Sequence, residues 1–193
     1  MKKQEISKEA TPQHKIVADK TYPFFYAYHD KAYIESHDKR PTVSLEEKGI
    51  QYILNNKDNQ ELVVYKIDID KKILNKHIEY SIFYNIVGER VKDKKFTKCD
   101  YGIYTEDDIL FLIELKGTDY EHGLEQLLHT IKVLITENNV SVKKLYTRMV
   151  FKIRPDIRSA NARKNEDKLI KNYNYNPKLC KHGKIIEDLK KTI

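Results

Sequence analysis

The chain is poor in cysteine, glycine and proline: its 193 residues contain two cysteines, six glycines and five prolines. Two cysteines cannot form the disulfide framework of a small secreted protein, so we expect a cytoplasmic location. No apolar run approaches the roughly 20 residues of a membrane span. Residues 1–10 contain lysines but are followed by no apolar stretch, so we expect no signal peptide. The sequence therefore predicts a soluble globular protein that does not associate with a membrane.

Several kinds of catalytic or cofactor motif are also missing. Six glycines leave little room for a glycine-rich phosphate-binding loop, and no nucleophile-elbow pattern occurs. The seven histidines show no metal-ligand spacing; His122 and His129 lie seven positions apart and are expected to be solvated. Cys180 and His182 lack a second close pair, so a zinc site is not expected.

Positive charge is concentrated in the last quarter of the chain. Residues 143–193 contain 15 Lys and Arg but only 5 Asp and Glu, a net charge of +10. The first 142 residues contain 21 basic and 24 acidic residues, a net charge of −3. This asymmetry indicates either a solvated lysine-rich surface or a surface that binds a polyanion, most often a nucleic acid.

Hydrophobic periodicity predicts an α/β sandwich with a mixed sheet flanked by helices. The predicted strands are 22–28, 32–34, 61–74, 80–87, 96–104, 109–116 and 143–153, and the predicted helices are 45–55, 119–137, 161–171 and 184–191. We expect a flexible N-terminus (1–20), a core domain (21–153) and a basic, helical C-terminal extension (154–193) that packs on the same domain.

One predicted strand is apolar except at its end, where it contains Glu114 and Lys116. Because strand residues two apart share a face, these two charged residues lie on the same side as Leu110 and Leu112. Buried charges cost several kcal/mol unless they are paired or bind a metal. The pattern therefore indicates either an ion pair at a frayed strand end or a site for a hard cation. A tight hairpin would bring Asp100, 14 positions earlier, close to Glu114.

Asp100 followed by Glu114-x-Lys116 on two strands, then an amphipathic helix and a further strand, resembles the PD-(D/E)xK nuclease superfamily. The resemblance covers roughly residues 44–153 and implies a restriction-endonuclease-like fold. It also implies that Asp100 and Glu114 bind Mg²⁺, for which Mn²⁺ can substitute, and that Lys116 orients the attacking water. Cys99 stands where many members have proline, a departure that is common in the superfamily.

Three short stretches are similar to small bacterial and phage members of this superfamily: 98–101, 113–117 and 125–127. Some of its subgroups place a glutamine on the helix that follows the Glu-x-Lys motif. The resemblance therefore implies a catalytic role for Gln126, although a plain surface glutamine is an equal alternative because Gln126 lies off the apolar stripe of its helix.

The resemblance also implies a further glutamate from the helix that precedes the sheet. In the predicted helix 45–55, Glu46 faces inward and is our expected auxiliary metal ligand. Glu47 is better explained as the capping-box partner of Ser44. Asp68 and Glu79 remain rivals, since each lies on or beside a predicted strand.

Basic residues surround the last predicted strand and continue beyond it. We expect these residues to contact phosphate groups collectively. They are Lys144, Arg148, Lys152, Arg154, Arg158, Arg163 and Lys164.

These features predict a Mg²⁺-dependent nuclease, and we expect an endonuclease that cleaves DNA by attack of an activated water. Two alternatives are a catalytically inactive member of the same fold that binds nucleic acid or scaffolds a partner, and a structural protein with a lysine-rich surface. The sequence leaves open whether DNA or RNA is bound and whether the protein is a homodimer.

Overall fold

The computed structural model describes residues 23–28, 34–68, 97–153, 159–180 and 182–193. Several predictions lie outside these residues: the flexible N-terminus 1–20, the strand 80–87, and the site residues Glu79, Arg154 and Arg158.

Nine strands of the described residues form two sheets. They are β1 (Ile34–Asp38), β2 (Thr42–Glu47), β3 (Ile50–Asn55), β4 (Leu62–Lys66), β5 (Tyr101–Thr105), β6 (Ile109–Lys116), β7 (Lys144–Phe151), β8 (Asn176–Leu179) and β9 (Lys184–Asp188). The large sheet has the order β1-β4-β5-β6-β7-β8, and the small sheet has the order β2-β3-β9. Both sheets are mixed, because β6, β7 and β8 run parallel and β9 runs parallel to β3, while the other pairs are antiparallel.

Four α-helices accompany the sheets. They are α1 (Pro23–Tyr28), α2 (Tyr120–Ile131), α3 (Ala160–Tyr173) and α4 (Leu189–Thr192). A π-helical turn, Lys132–Thr136, continues α2. The Asp119 side chain accepts a hydrogen bond from the backbone N–H of His122 and so caps the start of α2, as the sequence predicts.

The large sheet has two different apolar faces, and β6 shows why. Its residues Leu110 and Leu112 pack against helices α1, α2 and α3, whereas Phe111 and Ile113 pack against the small sheet. This two-residue alternation is the one expected from the sequence. The expected α/β architecture of mixed sheets flanked by helices is therefore confirmed.

The predicted helix 45–55 is wrong: these residues form the β2–β3 hairpin. Lys48 (φ 49°) and Gly49 (φ 71°) both have positive φ, which is the backbone of a tight two-residue hairpin turn. Leu45 and Ile50 are buried on either side of the turn, and burial alternates along both strands. The predicted strand 22–28 is wrong too, since it forms α1 with a proline at its first position, where no N–H is needed.

The C-terminal quarter contributes strands as well as helices. Helix α3 agrees with the predicted helix 161–171, but the predicted helix 184–191 is wrong over most of its length. Residues Lys184–Asp188 form β9, which pairs with β3, and only Leu189–Thr192 are helical. In addition, β8 extends the large sheet beside β7. The expected helical extension is thus built into both sheets.

Candidate active site

The β5–β6 hairpin brings together the two carboxylates that the sequence singles out. Tyr101 pairs with Ile113, so the preceding Asp100 lies opposite Glu114. The Asp100 side chain accepts a hydrogen bond from the backbone N–H of Leu115 across 2.7 Å. This contact fixes the Asp100 carboxylate against the end of β6.

Glu114 is buried, yet one of its oxygen atoms has no hydrogen-bond partner. The residue is 1% exposed. Its Oε1 lies 3.2 Å from Lys116 Nζ, while no atom of the described residues bonds its Oε2. An unsatisfied buried carboxylate oxygen costs free energy, so it marks a place where a ligand would be stabilising.

These side chains line an open cleft of about 440 Å³ at the end of β6. Its walls come from the β2–β3 turn, the end of β6 and the start of α2. The lining residues are Glu47, Lys48, Asp68, Asp100, Glu114, Leu115, Lys116, Gly117, Thr118, Asp119, His122 and Gln126.

Gln126 holds the ammonium group of Lys116. Lys116 Nζ donates a hydrogen bond to Gln126 Oε1, and Gln126 Nε2 donates to the carbonyl oxygen of Lys98 across 2.7 Å. Gln126 is 7% exposed, so it is not the plain surface glutamine that the sequence left open. Its amide joins the lysine to the chain segment that leads into Asp100.

The expected auxiliary residue Glu46 does not enter the cleft; its neighbour Glu47 does. Because the segment is a strand rather than a helix, Glu47 shares a face with the buried Leu45, while the side chain of Glu46 is exposed. Glu47 lines the cleft together with Asp100 and lies 3.7 Å from Lys66 Nζ. The rival Asp68 also lines the cleft, where it pairs with a lysine.

Burial and charge repulsion shift both central carboxylates towards their neutral forms. Burial raises the pKa of Asp100 to about 9, and the nearby charge of Glu114 adds to the shift. Burial also raises the pKa of Glu114 to about 7, although the ammonium of Lys116 acts in the opposite direction. The cleft therefore lacks enough positive charge to keep both carboxylates ionised.

The chemistry of these donors fits Mg²⁺ better than a metal held by many side chains. Within the described residues, no three His, Cys, Asp or Glu side chains are arranged as a complete metal-binding group. Mg²⁺ is commonly bound through only one or two carboxylates and retains several waters. Asp100 and the unpartnered oxygen of Glu114 could supply those carboxylates.

Arg148, expected to contact phosphates, is instead a buried structural residue. It is 2% exposed and forms a two-pronged ion pair with Glu187, with its Nη2 at 2.9 Å from Oε1. Its Nη1 donates to the carbonyl oxygens of Thr147 and Asn174. The side chain points from β7 towards β9, so it joins the two sheets and is not available to nucleic acid.

The other basic residues of this group that the structure describes do not form one surface. Lys144 begins β7 and Lys152 follows its end, so the two are separated by about 26 Å at the rise of an extended strand. Arg163 and Lys164 are exposed on α3. Of this group, Lys152 lies next to the cleft, because its backbone N–H donates to the carbonyl oxygen of Gly117.

Two cleft residues were not anticipated from the sequence. His122, expected to be solvated, lines the cleft and is partly exposed, with its ring 3.8 Å from Glu125. Lys48 reaches the cleft from the hairpin turn. The Lys48-Gly49 pair within a supposed helix was the signal that could have revealed this turn.

Comparisons with protein-family models, curated proteins and solved structures return no match. Among the residues that the structure describes, no helix is both long enough and apolar enough to cross a membrane.

Proposed function

We propose that this protein is a divalent-metal-dependent nuclease that hydrolyses phosphodiester bonds in DNA, as an endonuclease with a restriction-endonuclease-like fold. The observation that carries the proposal is the unpartnered, buried Oε2 of Glu114, which lies in a cleft beside Asp100 and Lys116. A divalent cation would satisfy this oxygen and would also relieve the repulsion between the two carboxylates.

Asp100 and Glu114 would hold the cation, and Glu47 and Asp68 are further carboxylates in the cleft. Asp100 is oriented by the backbone N–H of Leu115, and Glu114 by the ammonium of Lys116. A bound Mg²⁺ would polarise a phosphate oxygen and lower the pKa of a coordinated water.

Lys116 would orient the attacking water and would stabilise the negative charge that develops on the phosphate oxygens. Its ammonium is held by the Glu114 carboxylate and the Gln126 amide, so its position is set before substrate binds. A preorganised cation at such a position is an efficient way to stabilise a transition state.

DNA is the proposed substrate because the cleft contains candidate metal ligands and the C-terminal quarter of the same chain has an excess of positive charge. That quarter contributes β7, β8 and β9 to the two sheets, so its charge belongs to the same body as the cleft. A polyanion is held by such charge without sequence-specific contacts.

Metal binding tests the first half of the proposal. Calorimetric titration of Mn²⁺ into the wild type should show a site that Asp100→Asn and Glu114→Gln each weaken or abolish. Glu46→Gln is the matched control, because it removes an exposed carboxylate from the same hairpin. A wild type without detectable Mn²⁺ binding would overturn the proposal.

Cleavage tests the second half. Linear, nicked, branched and single-stranded DNA, with RNA for comparison, should be incubated with Mg²⁺ or with EDTA. We expect Mg²⁺-dependent cleavage of at least one DNA, including circular DNA without ends, and its loss in Asp100→Asn.

A catalytically inactive nucleic-acid-binding protein is the second candidate. It is favoured by one observation: burial raises the pKa of Asp100 to about 9 and that of Glu114 to about 7, so without a metal these carboxyl groups need not both be ionised beside a bound polyanion. Salt-sensitive DNA binding without cleavage in Mg²⁺ or Mn²⁺ would support this candidate against the nuclease.

A further inference from the structure

The turn of the β2–β3 hairpin borders the cleft, and Lys48 of this turn is one of the lining residues. The positive φ values of Lys48 and Gly49 make the turn tight, and the Glu47 carboxylate beside it lies 3.7 Å from Lys66 Nζ. The Lys48 side chain is 84% exposed. A lysine is therefore held at the rim of the cleft with its ammonium in solvent.

Lys152 reaches the same turn from the end of β7. Its Nζ donates a hydrogen bond to the carbonyl oxygen of Lys48 across 3.3 Å. Its backbone N–H donates to Gly117, which lines the cleft. Lys152 thus connects the hairpin turn to the end of β6, the strand that carries Glu114.

Lys184 lies at the start of β9, beside the same hairpin. It pairs in register with Gln51, whose backbone N–H donates to the carbonyl oxygen of Gly183 across 2.8 Å. A Cβ placed on Gly183 would lie 3.8 Å from the carbonyl oxygen of Gly49, so this chain segment abuts the turn. Lys184 itself is exposed and shares the outer face of the small sheet with Gln51 and Glu46.

Acidic residues leave most of this charge uncompensated. Lys48 Nζ lies 3.3 Å from Glu47, but the lysine is so exposed that such a pair is worth little. Glu47 is also shared with Lys66, whose Nζ lies 3.7 Å from it. Within the described ranges, neither Lys152 nor Lys184 forms an ion pair with an acidic side chain.

We propose that Lys48, Lys152 and Lys184, called here the tip cluster, bind the phosphates of the DNA strand that flank the cleaved bond. This inference rests on the proposed nuclease function and locates its substrate on the small-sheet side of the cleft. Three segments far apart in sequence bring these lysines to one hairpin turn: Lys48 and Lys152 lie at the cleft, and Lys184 lies on the outer face of the small sheet. Lysines contact phosphates as mobile point charges and need no fixed hydrogen-bond geometry.

A triple variant removes the charges with little change to the backbone. Lys48→Asn is chosen because asparagine tolerates positive φ, and Lys152→Gln and Lys184→Gln keep polar, flexible side chains. Thermal unfolding and circular dichroism establish that the variant folds. Lys48→Asn alone serves as a second variant if the triple variant is unstable.

The measurement is the salt dependence of DNA binding. Binding is monitored by fluorescence anisotropy, with Ca²⁺ in place of Mg²⁺. For three lost phosphate contacts, the slope of log affinity against log salt should become shallower by about 2.7 on duplex DNA or about 2.1 on single strands. Lys48→Asn alone should account for about one third of the change.

The matched control removes three charges from the helical side of the large sheet: Lys132→Gln, Lys168→Gln and Lys171→Gln. These side chains are exposed, and we expect the salt slope to stay within about 0.5 of the wild type. An unchanged slope in the tip-cluster variant, or an equal change in the control, would overturn the inference. The nuclease proposal would survive that result if the wild type still binds Mn²⁺ and cleaves DNA; it would fail separately if the wild type does neither.

Discussion

Two buried ionic groups lie on neighbouring strands of the large sheet, and they differ in how completely their hydrogen-bonding atoms are used. On β7, the guanidinium of Arg148 bonds Glu187 and two backbone carbonyl groups. On β6, Glu114 has Lys116 on one oxygen and no partner among the described residues on the other. The Arg148 group is satisfied by the protein itself, whereas the Glu114 group leaves one carboxylate oxygen without a partner in the described part of the chain.

The pKa values of the two glutamates differ in the same way. Burial opposes ionisation of Glu187, but the hydrogen bonds and charge of Arg148 outweigh it and hold the pKa of Glu187 below its ordinary value. Burial raises the pKa of Glu114, and Lys116 only partly offsets the shift. A satisfied buried charge thus joins structural elements, while an unsatisfied one beside a cleft indicates a binding site.

The Arg148 group should have the largest effect on stability. Arg148→Met leaves Glu187 buried without its partner, and we expect a loss of about 3–5 kcal/mol in the free energy of unfolding. Urea denaturation followed by circular dichroism measures this loss. The double variant Arg148→Met/Glu187→Leu should recover a large part of it, because no unpaired charge remains. A loss below about 1 kcal/mol in the single variant would contradict the structural role.

The Lys116 group should instead affect catalysis. Lys116→Gln removes the cation proposed to act on the attacking water, so we expect the cleavage rate constant to fall about 10²–10³-fold. Calorimetry should still detect Mn²⁺ binding, because Asp100 and Glu114 remain. Lys171→Gln, an exposed lysine on α3, is the control. Unchanged cleavage by Lys116→Gln would show that this lysine has no catalytic role.

The raised pKa of Asp100 predicts that the metal-free protein is more stable in acid than in base. The pKa rises from an ordinary value near 4 in the unfolded chain to about 9 in the folded protein, so the folded state binds the proton more tightly. The stabilisation is complete below about pH 4 and is lost as the pH rises through about 9. We expect the free energy of unfolding to fall by about 2 kcal/mol over this range, which corresponds to a fall in Tm of roughly 4–8 °C.

Thermal unfolding between pH 5 and 9 in EDTA measures this loss of stability. Asp100→Asn should flatten the dependence, because its amide does not titrate. Mg²⁺ should raise the Tm most at high pH, where the carboxylates are ionised and free to bind it. A wild type whose Tm rises with pH in EDTA would contradict the assigned pKa shift.

The sequence was a good guide to the Glu114 group because local geometry determines it. Two strands joined by a tight turn must bring Asp100 back to Glu114, and the period of two places Lys116 on the same face. No long-range information was needed for these positions. The mixed α/β architecture followed from the same periodicity.

The sequence was a poor guide where two patterns competed or where the partner lay far away. The Ser44 and Glu47 spacing of a capping box also fits a strand, and the turn at Lys48-Gly49 decided in favour of the hairpin. Because the segment is a strand, Glu47 lines the cleft in place of the expected Glu46. Arg148 looked available for phosphate because nothing local indicates that Glu187, 39 residues later, would be paired with it across the two sheets.

Gln126 offers the smallest and most specific test of the difference between the two ionic groups. Gln126→Leu removes the acceptor for Lys116 and the donor to Lys98, and we expect about a tenfold fall in the cleavage rate constant. The pH–rate profile should also shift, because the Lys116 ammonium influences the pKa of Glu114 and is no longer held by Gln126. The Mn²⁺ affinity should stay the same. Gln126→Glu keeps an acceptor for Lys116 and should recover part of the rate. Glu125→Gln, at the preceding and exposed position, is the control. A rate that falls only in proportion to lost stability, with an unshifted profile, would reduce Gln126 to a packing residue.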